Sequence, residues 1–133
     1  MYRHARSLAA LKVLNAAKDA VGRSLRVVKL RAPPKLLRAA EEVPAAELDG
    51  SIAREQGEVM PASYVNFYIA NGGLVVPAFG GEAAAADAAA AQVLQQEFPR
   101  HEVVQVETRA VLVGGGNIHC ITQQQPAAAL ATC

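Results

Sequence analysis

Cys120 has the clearest chemical potential in the sequence, because it follows three successive glycines and Asn117. The glycines, at 114–116, let a backbone or a ligand approach closely, and an asparagine side chain both donates and accepts hydrogen bonds. A thiolate becomes a nucleophile where it is accessible and where donors or positive charge lower its pKa. The pattern therefore makes Cys120 a candidate nucleophile, although composition alone favours a small buried side chain at a strand end.

The sequence lacks the residue spacings of nucleotide-binding and metal-binding motifs. No Lys-Ser or Lys-Thr follows the glycines, which excludes a phosphate loop. No metal site is predicted, because His4, His101, His119, Cys120 and Cys133 lack the paired spacing of metal ligands. His119 would point away from Cys120 on a predicted strand, and His101 is interpreted as a surface residue rather than a catalytic base.

The elements that must position these residues follow from periodicity and from Gly and Pro. The segment 32–61 loses its period and is predicted as a long loop. Tyr64, Phe67 and Tyr68 are interpreted as sheet core rather than as an aromatic binding box. The remaining predictions are a helix at 3–20 ending near Gly22, a strand at 25–30, a hairpin of 63–70 with 74–76, a helix at 82–98, a strand at 103–106, and short strands at 111–113 and 117–122.

Composition narrows the function classes. The chain has 133 residues, a formal net charge of +1, 52% hydrophobic and 5% aromatic residues. This balance argues against nucleic-acid and membrane-surface partners, and two cysteines do not form a disulfide framework. A cytoplasmic location is predicted, with an organellar transit peptide as the alternative reading of the basic first eighteen residues.

Two stretches of the sequence carry a family resemblance. ASYVNFYIANGG at 62–73, with Pro77 and Phe79-Gly80 after it, and GGGNIHCITQQQP at 114–126 closely resemble the carboxyl-terminal part of agmatine deiminases. The resemblance implies an α/β fold that is part of a pentein, a five-bladed α/β propeller, with about one and a half ββαβ modules. The boundaries it implies are 1–31 for the trailing part of one module, 32–61 for a connecting loop, 62–126 for the last module and 127–133 for a tail.

The resemblance also implies a reaction. Members of the family hydrolyse agmatine to N-carbamoylputrescine and ammonia, in putrescine biosynthesis, through a covalent cysteine adduct and without metal or organic cofactor. The cysteine of their Gly-Gly-Asn-Ile-His-Cys motif is the nucleophile and corresponds to Cys120, while Gly116 and Asn117 are predicted to bind substrate. Their guanidinium-pairing carboxylates and proton-transferring histidine come from earlier modules, and the acids of the long loop are predicted to be solvated. The chain is therefore predicted to be inactive by itself.

Alternatives stay open at this point. A protein-arginine deiminase-like hydrolase shares the superfamily motif, although Gln-Gln-Gln-Pro at 123–126 favours the agmatine group. A non-catalytic, pentein-derived binding module is the second alternative. The start at Met1, inside what resembles a middle module, predicts a truncated gene product or an incomplete gene model. Module faces left in water predict self-association or a homo-oligomer.

Overall fold

The computed structural model describes residues 2–43 and 54–126, which form a mixed α/β structure around one small sheet. Its helices and strands are α1 Tyr2–Ala16, β1 Tyr68–Ala70, β2 Gly73–Ala78, α2 Ala84–Glu97, β3 Glu102–Glu107 and α3 Arg109–Val113. Short 3-10 turns cover Ala40–Glu42, Gly81–Ala83 and Ile118–Ile121.

The sheet has the order β1-β2-β3, with β2 in the middle. The predicted hairpin is confirmed: β1 and β2 pair antiparallel through Asn71-Gly72, where Gly72 has φ 79°. That backbone conformation favours glycine at the second central position of the turn. The predicted strand near 103–106 is also confirmed, since β3 pairs parallel with β2 after the chain crosses over through α2.

Helix α2 confirms the prediction of a helix at 82–98 that ends before Pro99. Its buried side chains are Asp87, Ala90 and Leu94, and Ala83 is buried one turn earlier. These four positions repeat every three or four residues and so lie on one helix face. Because two of them are alanines, the helix approaches the sheet closely.

Two clusters of buried side chains form the core. The larger contains Met60, Ala62, Tyr64, Phe79, Ala83, Ala90 and Leu112, and the smaller contains Leu74, Val76 and Leu94. Leu30, from the segment before the long loop, packs against both clusters. The core therefore belongs to the C-terminal part of the chain.

Helix α1 confirms the predicted N-terminal helix but ends four residues early, at Ala16. The Asp19 carboxylate accepts hydrogen bonds from the backbone N–H groups of Val21 and Arg23, and Gly22 has φ 82°. This local turn competes with helix and replaces its predicted last turn.

The predicted strand at 25–30 is wrong. These residues have strand-forming side chains, yet within residues 2–43 and 54–126 they join no β-ladder. A strand needs a neighbouring edge to pair with, and propensity alone does not supply one. Leu30 is held instead by side-chain packing on the core.

The short strands predicted at 111–113 and 117–122 are also wrong, because both segments are helical turns. Residues 111–113 end α3, in which the Leu112 N–H donates to the Thr108 carbonyl at 2.9 Å and the Leu112 side chain is buried. Residues 118–121 form a 3-10 turn. Apolar runs this short fit both the helical and the strand period, so periodicity could not distinguish a helix from a strand here. The hairpin's first strand is shorter than predicted, since 64 and 65 form a turn.

Of the long loop predicted at 32–61, the structure describes residues 32–43 and 54–61. These two arms meet at an antiparallel bridge between Leu37 and Val59, and Ala40–Glu42 form a 3-10 turn. Residues 44–53 and the predicted tail at 127–133, with Cys133, lie outside the described residues. In the part of the chain that the structure describes, none of the helices has the length and apolarity to cross a membrane.

Candidate active site

Cys120 lies exposed on the 3-10 turn Ile118–Ile121, directly after the glycines. Asn117 begins this turn: its side-chain oxygen accepts from the Ile118 N–H at 2.8 Å, and its carbonyl accepts from the Cys120 N–H at 2.9 Å. Such side-chain bonds to the local backbone compete with strand pairing, which explains why the segment turns here. The turn presents the thiol at the surface.

Gly116 makes room for the thiol. A Cβ built on this glycine would lie 2.9 Å from the Cys120 Cβ and 3.3 Å from its Sγ. A real Cβ atom essentially never comes within 2.9 Å of another, so any larger residue at 116 must displace Cys120. Gly115, with φ 98°, lies against the Arg54 guanidinium, at 2.7 Å from where its Cβ would be.

Asn66, which sequence reasoning did not single out, contacts the cysteine turn from the loop before β1. Its Nδ2 donates to the Cys120 Sγ at 3.1 Å, and its Oδ1 accepts from the His119 N–H at 2.8 Å. The sequence signal for this contact is weak, since the two residues are 54 positions apart.

The Cys120 thiol has a lowered pKa. The hydrogen bond from Asn66 is the largest cause, followed by backbone hydrogen bonding at Asn117, and at Cys120 itself. Partial desolvation opposes the shift. Donors to the sulfur favour the charged form, so the arrangement favours a thiolate.

The predicted substrate contacts stay predictions. Asn117 is 2% exposed, and its Nδ2 is buried with no hydrogen-bond partner among the described residues. Gly116 contacts the cysteine rather than an open cavity. The observed contacts give both residues a part in shaping the turn.

The two histidines near the site in sequence are placed differently. His119 has an exposed side chain, and it lies on a 3-10 turn rather than on the predicted strand. His101 packs edge-on against the Phe98 ring at 5.7 Å between centroids, and its Nδ1 is buried with no partner in the described ranges. His101 is therefore half-buried rather than a surface residue.

The aromatic residues of the hairpin region support the core interpretation. Tyr64 is buried and its ring lies 5.5 Å from that of Phe79. Phe67 packs edge-on against Phe98, and Tyr68 is half-buried in β1. Ring contacts of this kind stabilise a core.

Asp87 links the hairpin region to α2. Its carboxylate accepts from the Tyr64 hydroxyl at 2.6 Å and from the backbone N–H groups of Phe79 and Gly80 at 3.0 and 2.8 Å. Burial and the neighbouring carboxylate raise the pKa of Tyr64. This network holds the loop that leads towards Asn66.

Two arginines join the long loop to α3. The Arg38 side chain is fully buried and donates to the Val113 carbonyl at 3.2 Å, the last residue before the glycines. Arg109 forms a two-pronged ion pair with Glu42, which lowers the pKa of that carboxyl. The prediction of solvated loop acids is therefore wrong for Glu42, and Glu58 also pairs with Arg38.

No group of three His, Cys, Asp or Glu side chains within residues 2–43 and 54–126 is arranged to hold a metal ion. Within the same ranges the Cys120 turn is the place where an exposed nucleophile, donors and glycines meet.

Known proteins match this chain along most of its length. A family model described as Porphyromonas-type peptidyl-arginine deiminase matches residues 2–126. Agmatine deiminase of Stutzerimonas stutzeri is 49% identical over 125 residues, which cover 93% of this chain and 33% of the relative. Agmatine deiminase of Ectopseudomonas mendocina is 50% identical over a match that covers 92% of this chain and 33% of the relative.

Solved structures agree with the sequence matches. The agmatine deiminase of Enterococcus faecalis superimposes with a TM-score of 0.79 at 38% identity, covering 90% of this chain and 32% of that one. The resemblance and the partial pentein fold predicted from the sequence are confirmed. The chain spans about a third of the length of the relatives it matches.

Proposed function

We propose that Cys120 is the nucleophile for hydrolysis of agmatine, because this chain belongs to the Porphyromonas-type peptidyl-arginine deiminase family and is similar to agmatine deiminases along most of its own length. The observation that carries the proposal is the exposed Cys120 thiol, which accepts a hydrogen bond from Asn66 and has a lowered pKa. Because the thiol is exposed, a planar guanidinium group can reach it.

In the proposed reaction the Cys120 thiolate attacks the guanidinium carbon of agmatine and forms a C–S bond. The bond from that carbon to one terminal nitrogen breaks, and the nitrogen takes up a proton from solvent and leaves as ammonia. Water then attacks the amidino-cysteine adduct and releases its two protons to solvent, the C–S bond breaks, and the thiolate returns. The product, N-carbamoylputrescine, places the reaction on a route to putrescine.

We also propose that this chain does not turn over agmatine by itself. A cationic substrate needs carboxylates to pair with it and a group that moves protons. Among the described residues no carboxylate contributes to the pKa of Cys120, and Glu42, Glu58 and Asp87 are bonded elsewhere. Ammonia release from agmatine by the purified chain should therefore stay at background.

A chimera tests the proposed role of Cys120 directly. Residues 2–126 would replace the matching segment of the Stutzerimonas agmatine deiminase, which is 49% identical. We expect the chimera to release ammonia from agmatine and Cys120→Ser to abolish that release. Ile121→Ser, at an exposed neighbour in the same turn, serves as the matched control and should keep activity.

Two results would overturn the proposal. One is a folded chimera with no activity while the parent enzyme is active. The other is ammonia release that survives Cys120→Ser. Because the matching family model is described as peptidyl-arginine deiminase, peptidyl-arginine is the second candidate substrate. A peptide substrate turned over faster than agmatine would favour that candidate.

A further inference from the structure

Asn66 holds the cysteine turn at more than one point. Its Nδ2 lies 3.1 Å from the Cys120 Sγ, and its Oδ1 lies 2.8 Å from the His119 backbone nitrogen. The Asn66 backbone carbonyl also accepts from the same His119 N–H, at 3.3 Å. One residue of the loop before β1 therefore contacts both the backbone and the sulfur of the turn.

The orientation of the Asn66 amide is fixed by its surroundings. Oxygen and nitrogen of an asparagine amide look alike, and their assignment follows from hydrogen-bond partners. A backbone N–H can only donate, so the amide atom that faces His119 N must be the oxygen. The atom that faces the Cys120 sulfur is then the NH₂ group, a donor.

A donor aimed at sulfur stabilises a thiolate more than a thiol, because hydrogen bonds to an ionised acceptor are the stronger ones. The loop 62–67 that packs on the turn contains no Asp, Glu, Lys, Arg or His. Its one ionisable side chain is Tyr64, whose hydroxyl donates to Asp87. Two further ionisable side chains near the turn are His119 itself and Arg54, whose guanidinium lies against Gly115. Neither is among the causes of the lowered pKa of Cys120.

We propose that Asn66 is a positioning residue for the nucleophile, which orients the Cys120 turn through its oxygen and holds the sulfur as a thiolate through its NH₂ group. The inference rests on the proposed function, in which Cys120 is the nucleophile. It adds a residue that acts through Cys120 without touching substrate.

The test measures the alkylation rate of Cys120 by iodoacetamide against pH, in the full chain with Cys133→Ser so that one thiol remains. Asn66→Asp is the sharpest variant: one oxygen still accepts from His119 N–H, while the other places negative charge against the sulfur. Asn66→Ala removes both contacts. Asn15→Asp makes the same charge change at an exposed position of α1 and serves as the control.

We expect native wild-type Cys120 to reach half-maximal alkylation at a lower pH than the same chain unfolded in urea. Asn66→Asp should slow alkylation near neutral pH by about tenfold and move the profile to higher pH, with a smaller change for Asn66→Ala. Asn15→Asp should keep the wild-type profile. Coincident native and unfolded profiles would overturn the inference even if no Asn66 variant folds. A wild-type profile in folded Asn66→Asp would overturn it as well.

The alkylation test separates this inference from the proposed function, because alkylation needs no turnover. If Asn66 controls the profile but the chimera is inactive, the inference about the thiol stands and the proposed function fails. In a second case the chimera releases ammonia, but Asn66→Asp changes neither the alkylation profile of the full chain nor the pH dependence of kcat in the chimera. The proposed function then stands and this inference fails.

Discussion

Residues 2–37, here the N-terminal segment, and residues 58–122, the C-terminal unit, differ in how far they bury their apolar side chains. None of residues 4–37 is buried, and Leu8, Val13 and Val21 are 52%, 68% and 74% exposed. In the C-terminal unit, Leu74 and Leu112 are completely buried. The thiol and the contacts that support it lie in the C-terminal unit, so the packed region is also the one that fixes the chemistry.

Polar groups show the same difference. Asp19 and Asp87 each accept three hydrogen bonds, two of them from backbone N–H groups. The bonds of Asp19 are exposed, whereas Asp87 is 5% exposed. Water can replace the partners of Asp19 but not those of Asp87, so equal numbers of bonds should have unequal effects on stability. Self-association through module faces left in water stays a prediction.

Removing a core leucine should have the largest effect on stability. Leu74→Ala deletes a fully buried side chain in β2 and should lower the free energy of unfolding by about 2–5 kcal/mol. Leu14→Ala, on α1 where Leu14 is 40% exposed, is the matched change and should cost less than about 0.5 kcal/mol. Urea unfolding followed by circular dichroism measures both. Equal losses would show that the N-terminal segment is part of the same core.

Replacing the two aspartates, Asp87 and Asp19, should have the next largest effects on stability. Asp87→Ala leaves the Tyr64 hydroxyl and two backbone N–H groups without a partner and should lower the unfolding free energy by about 3 kcal/mol. Asp19→Ala removes as many bonds, but in an exposed turn, and should leave the urea midpoint close to wild type. A larger loss for Asp19→Ala would contradict the contrast between the regions.

Tyr64→Phe should have a smaller, pH-dependent effect. It removes one buried hydrogen bond, worth about 1–2 kcal/mol at neutral pH. The pKa of Tyr64 is raised above its ordinary 10.0, so the folded state keeps a proton that the unfolded state loses. The stability from this group is therefore complete below about pH 10 and is lost as pH rises further. The free energy of unfolding, measured by urea unfolding between about pH 8 and pH 11, should fall less steeply with pH for Tyr64→Phe than for the wild type.

Gly116→Ala should have the smallest effect on stability and act on the thiol. An added Cβ would lie 2.9 Å from the Cys120 Cβ, so the cysteine must shift, which disturbs its 3.1 Å contact with Asn66. Alkylation of Cys120 near neutral pH should slow by about threefold or more. The control is Gly22→Ala in the N-terminal segment, where no atom lies within 4 Å of the added Cβ. That variant should alkylate like wild type although its φ of 82° is strained for alanine.

Local signals explain what the sequence predicted. Asn71-Gly72 is a two-residue hairpin turn, α2 has a helical repeat bounded by Pro99, and three glycines marked the neighbourhood of Cys120. Each of these features depends on residues close together in the chain. The hairpin, the helices α1 and α2, and β3 were therefore predicted.

The missed features depend on partners distant in sequence. A strand at 25–30 required an edge that the sheet does not offer to it, and nothing near Asn66 indicated a contact with a cysteine 54 residues later. Asp87 sits among alanines, and its role appears only when α2 packs beside Tyr64. The turn at 118–121 was misassigned because the Asn117 side chain, rather than periodicity, decides its conformation.

The central position of β2 has a consequence for the order in which the sheet assembles. β1 reaches β2 across a two-residue turn, whereas β3 reaches it only after the chain has passed through α2. Closing a longer loop costs more entropy, and hairpins close within about 1–10 μs. During refolding, β1 should therefore join β2 first and β3 should dock with α2 afterwards. Pulse-labelled hydrogen exchange should show protection of the β1 amides before those of β3, and simultaneous protection would contradict this order.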